Sequence, residues 1–126
     1  MGGMKLVEFR CLKMHIKNTT KKILLAKNAK ACKNIFSKSL GLMFSKPKSL
    51  IFVFKKEKII PLHMFFVFYP IDVLFLNKNN VVVEIKENFT PFAFHTPKYK
   101  AKYVIELPKD TIKKCNTKIK DKIEFQ

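Results

Sequence analysis

A chain of 126 residues with 48% apolar residues is long enough to bury a core as one domain, without support from disulfides or metals. The formal net charge is +17 and Arg10 is the only arginine, so a polyanionic partner is conceivable but a solvated lysine coat is the simpler interpretation. Three dispersed cysteines, Cys11, Cys32 and Cys115, exclude a disulfide framework or zinc knuckle and predict reduced thiols in a cytoplasmic protein.

The N-terminal third begins with a segment that we expect to lie outside the fold. Residues 1–20 show no secretory signal and contain two alternative start residues, Met4 and Met14, so they are interpreted as a ragged extension. A single compact domain is predicted from residue 21 to residue 126. Its first strand is expected at Lys21–Ala26 and is followed by a helix from Asn28 to Met43, because apolar residues recur there at helical spacing behind a capping asparagine.

The middle of the chain is the most apolar and is interpreted as its core. Leu50–Phe54 predicts a strand buried on both faces, followed by a solvated turn over Lys55–Lys58. A strand from about Ile60 to Phe68 is expected next, and Pro70 makes a corner before another strand at Asp72–Leu76. The run is too short and too interrupted for a membrane helix, so no membrane association is predicted.

The C-terminal half is predicted to be mostly strand. Asp72–Leu76 and Val81–Ile85 are expected to form a hairpin around residues 77–80, where asparagines tolerate positive φ. A loop is expected over residues 87–97. Strict alternation then predicts a half-buried strand over 99–107, a helical turn over 108–115 and a last strand over 118–125.

Together these elements predict an α+β fold that is mainly β. About seven short strands would form a small, mainly antiparallel sheet, curved or closed as a barrel, with one helix in the N-terminal half.

Several blocks of the chain resemble a known family. They are Ser39–Phe44, Leu50–Phe54, Met64 with Pro70–Leu76, Val81–Ile85, Ala101–Pro108 and Asp121–Ile123. In order and spacing they are similar to the prokaryotic family called domain of unknown function 192, and this chain looks like an archaeal-type member. The resemblance implies a small, mostly β protein with no settled activity.

The chain departs from that family pattern in two places. Many members follow the central methionine with Lys-Asn-Thr, whereas Phe65, Phe66 and Val67 follow Met64 here, so a site built on those polar groups is absent. Asp110 and Lys120 stand where members often have glycine, and the local turn geometry is expected to differ.

Asp72 is the sharpest candidate for a site, since a carboxylate between Ile71 and Val73 is costly to bury without hydrogen bonds. It either binds a ligand or accepts backbone N–H bonds at the Tyr69–Pro70 corner, and the structural role is favoured. His63, His95 and Met64 complete the candidate binding set. No metal site and no cofactor are predicted, because the histidines lack further ligands at suitable spacing.

Lysines interleave with Tyr99 and Tyr103, as in proteins that stack nucleic-acid bases on aromatic rings. Strand alternation, however, would place Lys98, Lys100, Lys102 and Glu106 on the face opposite to the tyrosines.

The first functional hypothesis is a non-enzymatic cytoplasmic domain, monomeric or a small homo-oligomer, that binds a ligand or partner. Two alternatives stay open: a module that binds nucleic acid weakly through its lysines, and a small enzyme with Asp72 in its site.

Overall fold

The computed structural model describes residues 12–32, 49–63 and 69–126. These ranges form nine strands and one short helix. The strands are β1 (Leu12–Asn18), β2 (Ile23–Cys32), β3 (Leu50–Lys58), β4 (Leu62–His63), β5 (Ile71–Leu76), β6 (Val82–Phe89), β7 (Phe94–His95), β8 (Ala101–Pro108) and β9 (Ile123–Phe125), and the helix α1 (Thr111–Lys114) lies between β8 and β9.

Seven strands form one sheet in the order β6-β5-β8-β3-β2-β1-β9, and β4 pairs with β7 in a separate ribbon. Neighbours in the sheet are antiparallel except β2 and β3, which are parallel. The sheet curls until its two edges meet: Val82 N donates to Asp121 O (2.9 Å) and Ile123 N donates to Asn80 O (2.9 Å). The predicted mainly β fold with a curved sheet of seven strands is confirmed as a half-barrel.

The curled sheet has two apolar faces. Side chains from all seven strands meet in one cluster, which defines the inner face: Ile16, Leu25, Ala29, Ile51, Leu74, Leu76, Val82, Ile105, Leu107, Ile112 and Ile123. A second cluster from the central strands and β4 defines the outer face: Leu50, Phe52, Phe54, Ile60, Leu62, Ile71, Val73, Phe75, Phe89, Ala101 and Val104.

Alternation sends successive side chains of a strand to opposite faces, so a central strand feeds both clusters. All six residues of β5 are buried, and β3 is buried over most of its first half. The predicted strands buried on both faces are thus confirmed. Each fully buried large apolar side chain stabilises the fold by about 1.5–3 kcal/mol.

The N-terminal predictions need correction. Strand β2 continues to Cys32, and Asn28 uses its positive φ of 55° where the pairing with β1 shifts register, so it lies in a bulge and does not cap a helix. The predicted helix is wrong for residues 28–32, and its remainder lies outside the described residues. Strand β1 pairs with both β2 and β9, so residues 12–18 of the predicted extension belong to the sheet. Residues 1–11 are outside the described ranges.

The predicted hairpin turn over residues 77–80 is confirmed. Asn77 Oδ1 accepts hydrogen bonds from Asn79 N (2.9 Å) and Val81 N (3.1 Å), and Asn80 adopts a φ of 62°. The predicted helical turn after β8 is confirmed as α1.

Several boundaries differ from prediction. Strand β3 continues through the expected turn to Lys58, and β6 runs to Phe89, into the expected loop, which also contains β7. Of the strand expected over residues 60–68, the described part pairs only at β4. Strand β8 begins at Ala101, and the last strand is restricted to β9.

Asp110 and Lys120 adopt φ values of 72° and 78°. This left-handed conformation is the one that glycine adopts at least cost. The two turns therefore adopt a backbone conformation that suits glycine, and the side chains there impose strain.

Candidate functional site

Asp72 is buried on the inner face of the sheet, opposite Leu107 of β8. Its Oδ1 accepts a hydrogen bond from Asn88 N (3.0 Å), and its Oδ2 accepts one from Ile112 N (3.1 Å). The carboxylate thus ties the end of β6 and the first turn of α1 to β5. The backbone-accepting role foreseen for Asp72 is present, but its partners are Asn88 and Ile112 and not the Tyr69–Pro70 corner.

A second buried polar group joins β1 to the loop before β9. Asn18 Nδ2 donates to Thr117 Oγ1 (3.1 Å) and to Asp121 Oδ2 (2.8 Å), and all three residues are buried. Asp121 Oδ2 also receives Lys21 Nζ (2.8 Å) and Lys118 N (2.9 Å). Burial raises the pKa of Asp121, but the hydrogen bonds from Lys21, Asn18 and Lys118 outweigh it and leave that pKa below its ordinary value. This group fastens the closing loop to the sheet.

His95 lies on the outer face, where its ring packs against Phe75 (centroids 5.6 Å apart) and Phe89 (6.2 Å). Its Nε2 is 2.9 Å from Oε2 of Glu84, whose Oε1 accepts a hydrogen bond from Lys98 N (2.7 Å). Glu84 therefore holds β7 and the following loop against β6. Because Glu84 and His95 lie on separate strands, no local sequence pattern indicates that they pair.

The predicted site residues are only partly brought together. Asp72 and His95 lie on opposite faces of β5, so these two side chains do not share a pocket. The backbone of His63 pairs with Phe94 in the ribbon, on the strand next to His95. Met64 lies outside the described residues. The assignment of these four as binding residues stays a prediction.

Glu106 is the acid that the sequence reasoning missed. It is 3% exposed in the centre of β8, opposite Val73 and Leu50 of the outer face. Tyr69 packs against the same face, and the pKa of its phenol is raised by burial and, secondarily, by the charge of Glu106. A carboxylate and a neutral phenol therefore meet on a surface that is otherwise made of apolar side chains.

The strict alternation predicted for residues 99–107 had placed Glu106 in solvent. That prediction is wrong because β8 is a central strand covered on both faces, with Val104–Leu107 all buried. The signal was Val104, an apolar residue that alternation places on the same face as Glu106. An isolated acid inside such a run marks a buried carboxylate, as it does for Asp72.

Cys115 is a free thiol, half-buried on the inner face, with Sγ 3.7 Å from Leu24 O. Burial raises its pKa against the opposing effect of Lys114, so the thiol is a weak nucleophile. Among the side chains that the structure describes, no group of three His, Cys, Asp or Glu residues could hold a metal ion. Nor is any described helix long and apolar enough to cross a membrane.

Charge is sorted between inside and outside. Asp72, Glu106 and Asp121 are buried and Glu84 is nearly so, whereas Glu87, Asp110 and Glu124 are exposed. Sixteen described lysines are exposed: Lys13, Lys22, Lys27, Lys30, Lys55, Lys56, Lys58, Lys78, Lys98, Lys100, Lys109, Lys113, Lys114, Lys118, Lys120 and Lys122. The described surface is therefore more strongly basic than the net charge alone implies.

Comparison with known proteins agrees with this architecture. The model of a family described as uncharacterised ACR (DUF192) matches residues 15–125. The UPF0127 protein of Pyrococcus furiosus is 39% identical over 95 residues, which are 73% of this chain and 81% of that protein. The UPF0127 protein of Pyrococcus horikoshii is 32% identical over 113 residues, 87% of this chain and 97% of that protein.

A solved structure shares the fold at low identity. It comes from Sinorhizobium meliloti, is described as a candidate transcription regulator, and has a TM-score of 0.75 at 19% identity over 92% of this chain and 94% of that chain.

Proposed function

This chain belongs to the DUF192 family, and from that premise we propose that it is a binding domain which recognises a small organic ligand at the outer face of its curled sheet. The observation that carries the proposal is the position of Glu106, a carboxylate only 3% exposed among apolar side chains. A carboxylate is costly to bury even when it is hydrogen-bonded or paired, and buried ionisable groups are frequent at binding sites, which supports a binding role for Glu106.

The outer face supports one class of ligand. The carboxylate of Glu106 accepts hydrogen bonds, and the phenol of Tyr69, whose pKa is raised by burial and by the charge of Glu106, can donate or accept. Val83 and Ala93, which are only partly buried against the same cluster, supply apolar contact. A ligand with an apolar body and a cationic or hydrogen-bond-donating group fits this set. We place this binding in the cytoplasm, supported by the free thiol of Cys115.

The test is an NMR titration with three matched probes: benzylamine, benzyl alcohol and benzoate. We expect benzylamine to shift methyl resonances of Val83 and Ala93, with weaker binding of the alcohol and none of benzoate. Glu106→Gln should abolish the preference for the amine, whereas Glu124→Gln, the same change at an exposed position, should preserve it. Shifts confined to other regions, or equal binding by both variants, would contradict the proposal.

A second candidate function is polyanion binding, and the sorting of charge favours it. Because several acids are buried, few exposed carboxylates remain to neutralise the exposed lysines. The Sinorhizobium meliloti structure of the same fold is described as a candidate transcription regulator, which is consistent with a nucleic acid as the polyanion. Affinity for oligonucleotides should fall steeply as salt rises, and negligible binding of DNA and RNA at low salt would eliminate this function.

A further inference from the structure

The loop between β6 and β8 concentrates exposed aromatic rings. Phe92 is 55% exposed, Phe94 is 68% exposed and Tyr99 is 58% exposed, all within eight residues. Lys98 and Lys100 flank Tyr99 and are exposed as well. Exposed rings gathered this closely mark an interaction surface, and the lysines beside them indicate an anionic partner.

The structure removes the objection that alternation had raised against this segment. Residues 98–100 form a bend, and β8 begins only at Ala101, so the tyrosine and its two lysines do not alternate across a strand. Tyr103, which does lie in the strand, is half-buried and packs against Phe125 with centroids 5.5 Å apart. Tyr99, Lys98 and Lys100 are all exposed in a segment without strand alternation, so the backbone pattern does not force the ring and the charges onto opposite faces.

This loop is anchored at several points. Glu84 contacts His95 Nε2 (2.9 Å) and accepts from Lys98 N (2.7 Å), directly before the exposed Tyr99. Ala93 N donates to Thr90 O (3.2 Å), and Pro97 is buried. A surface that is already held in place loses less conformational entropy on binding than a flexible loop does.

We infer that residues 92–100 bind single-stranded nucleic acid, with unpaired bases stacking on Tyr99 and the neighbouring rings while Lys98 and Lys100 contact phosphates. This deepens the second candidate function by giving it a site and a strandedness. Unpaired bases expose the ring faces that an aromatic platform needs, whereas a duplex hides them in its stack. An acidic peptide would match the charge but not the rings. An anionic membrane, whose interface takes up aromatic side chains, is separated from single-stranded nucleic acid by the test.

The test measures binding of a labelled oligouridine to the full chain by fluorescence anisotropy, over a salt series that starts at about 50 mM. Tyr99→Ala should weaken binding about tenfold, and Tyr99→Phe, which keeps the ring, should restore most of the affinity. The double variant Lys98→Ser/Lys100→Ser should weaken binding strongly and reduce the log–log salt slope by about 1.4. Lys113→Ser/Lys114→Ser removes the same charge from the exposed surface of α1 and should have a much smaller effect.

The outcomes separate this inference from the function on which it rests. Absence of oligonucleotide binding at low salt overturns both. Binding that the two lysine pairs weaken equally, with Tyr99→Ala unchanged, leaves a general lysine coat and overturns only the site. Tighter binding to phosphatidylserine vesicles or polyglutamate than to oligouridine, insensitive to Tyr99→Ala, overturns it as well. Tighter binding of an oligonucleotide duplex than of either of its single strands would contradict the preference for single-stranded nucleic acid.

Discussion

The inner and outer faces of the curled sheet both bury acids, but they use them differently. On the inner side, Asp72 and Asp121 accept hydrogen bonds from backbone N–H groups and neighbouring side chains that belong to other elements. On the outer side, Glu106 lies on a central strand beside Tyr69, within a cluster of apolar side chains. A buried carboxylate that joins several elements stabilises the fold, whereas one that lies among the apolar side chains of a single face is the kind of ionisable group that is frequent at binding sites.

Asp121→Ala should lower the free energy of unfolding more than any other change proposed here. A small effect would contradict the distinction between the two faces. The change removes the acceptor shared by Asn18, Lys21 and Lys118, so we expect the free energy of unfolding to fall by about 3 kcal/mol. Urea denaturation followed by circular dichroism measures this. Glu124→Ala, at an exposed position, serves as the control and should change stability by less than about 0.5 kcal/mol.

The same carboxyl makes stability dependent on acid. Because the pKa of Asp121 is lowered by folding, the folded state binds fewer protons, and its stabilising contribution is present above the unfolded-state pKa of about 3.9. That contribution is lost as pH falls through the lower pKa of the folded state. The urea midpoint should therefore drop less steeply below about pH 4 in Asp121→Asn than in the parent chain. Equal slopes in both proteins would contradict the lowered pKa.

Asp72→Asn should be the next largest effect. The amide keeps one oxygen, so one of the two N–H groups of Asn88 and Ile112 loses its acceptor, and we expect a loss of about 2 kcal/mol. Hydrogen exchange should show faster opening of α1 and of the end of β6. Asp110→Asn, an exposed neighbour, provides the matched control. Unchanged stability would mean that Asp72 is not a structural acid.

Glu106→Gln should act in the opposite direction. A neutral amide costs less to bury than a carboxylate, so the free energy of unfolding should rise by about 1 kcal/mol. Since the charge of Glu106 contributes to the raised pKa of Tyr69, that pKa should fall in the variant, as observed by NMR of ¹³C-labelled tyrosine. A destabilisation as large as that of Asp72→Asn would make Glu106 a structural acid and remove the contrast between the faces.

Lys120→Gly should give the smallest change. Relief of the left-handed φ of 78° exceeds the entropy that glycine adds to the unfolded chain, so stability should increase by about 0.5–1 kcal/mol. Lys118→Gly, in the same loop but without a positive φ, should instead destabilise. If both changes destabilise, the closing loop carries no strain at residue 120.

Much of the fold could be predicted from local pattern. The runs Leu50–Phe54 and Ile71–Leu76 are apolar at every or nearly every position, and only a central strand covered on two sides has that requirement. The asparagine turn between β5 and β6 could be predicted equally well, because the hydrogen bonds that form it lie within or next to residues 77–80. The family resemblance rested on these same blocks and is confirmed.

Other features depended on partners remote in sequence. Helical spacing after Asn28 is also compatible with a strand, and pairing with β1 and β3 decided in favour of the strand as far as Cys32. Alternation predicted that Glu106 is exposed to solvent, and the strands β3 and β5 that flank it lie elsewhere in the chain. The pairing of Glu84 with His95 likewise needs two strands to be brought together.

The amino-acid sequence by itself determined the strands of the centre, the main turn, the family and the excess of positive charge, because each depends on residues close together along the chain. Only the tertiary structure decided which acids hold elements together, which acid lies on an apolar face, and which aromatic rings are exposed. Those properties depend on which face of which strand is covered, and curling a sheet sets that through contacts between distant segments.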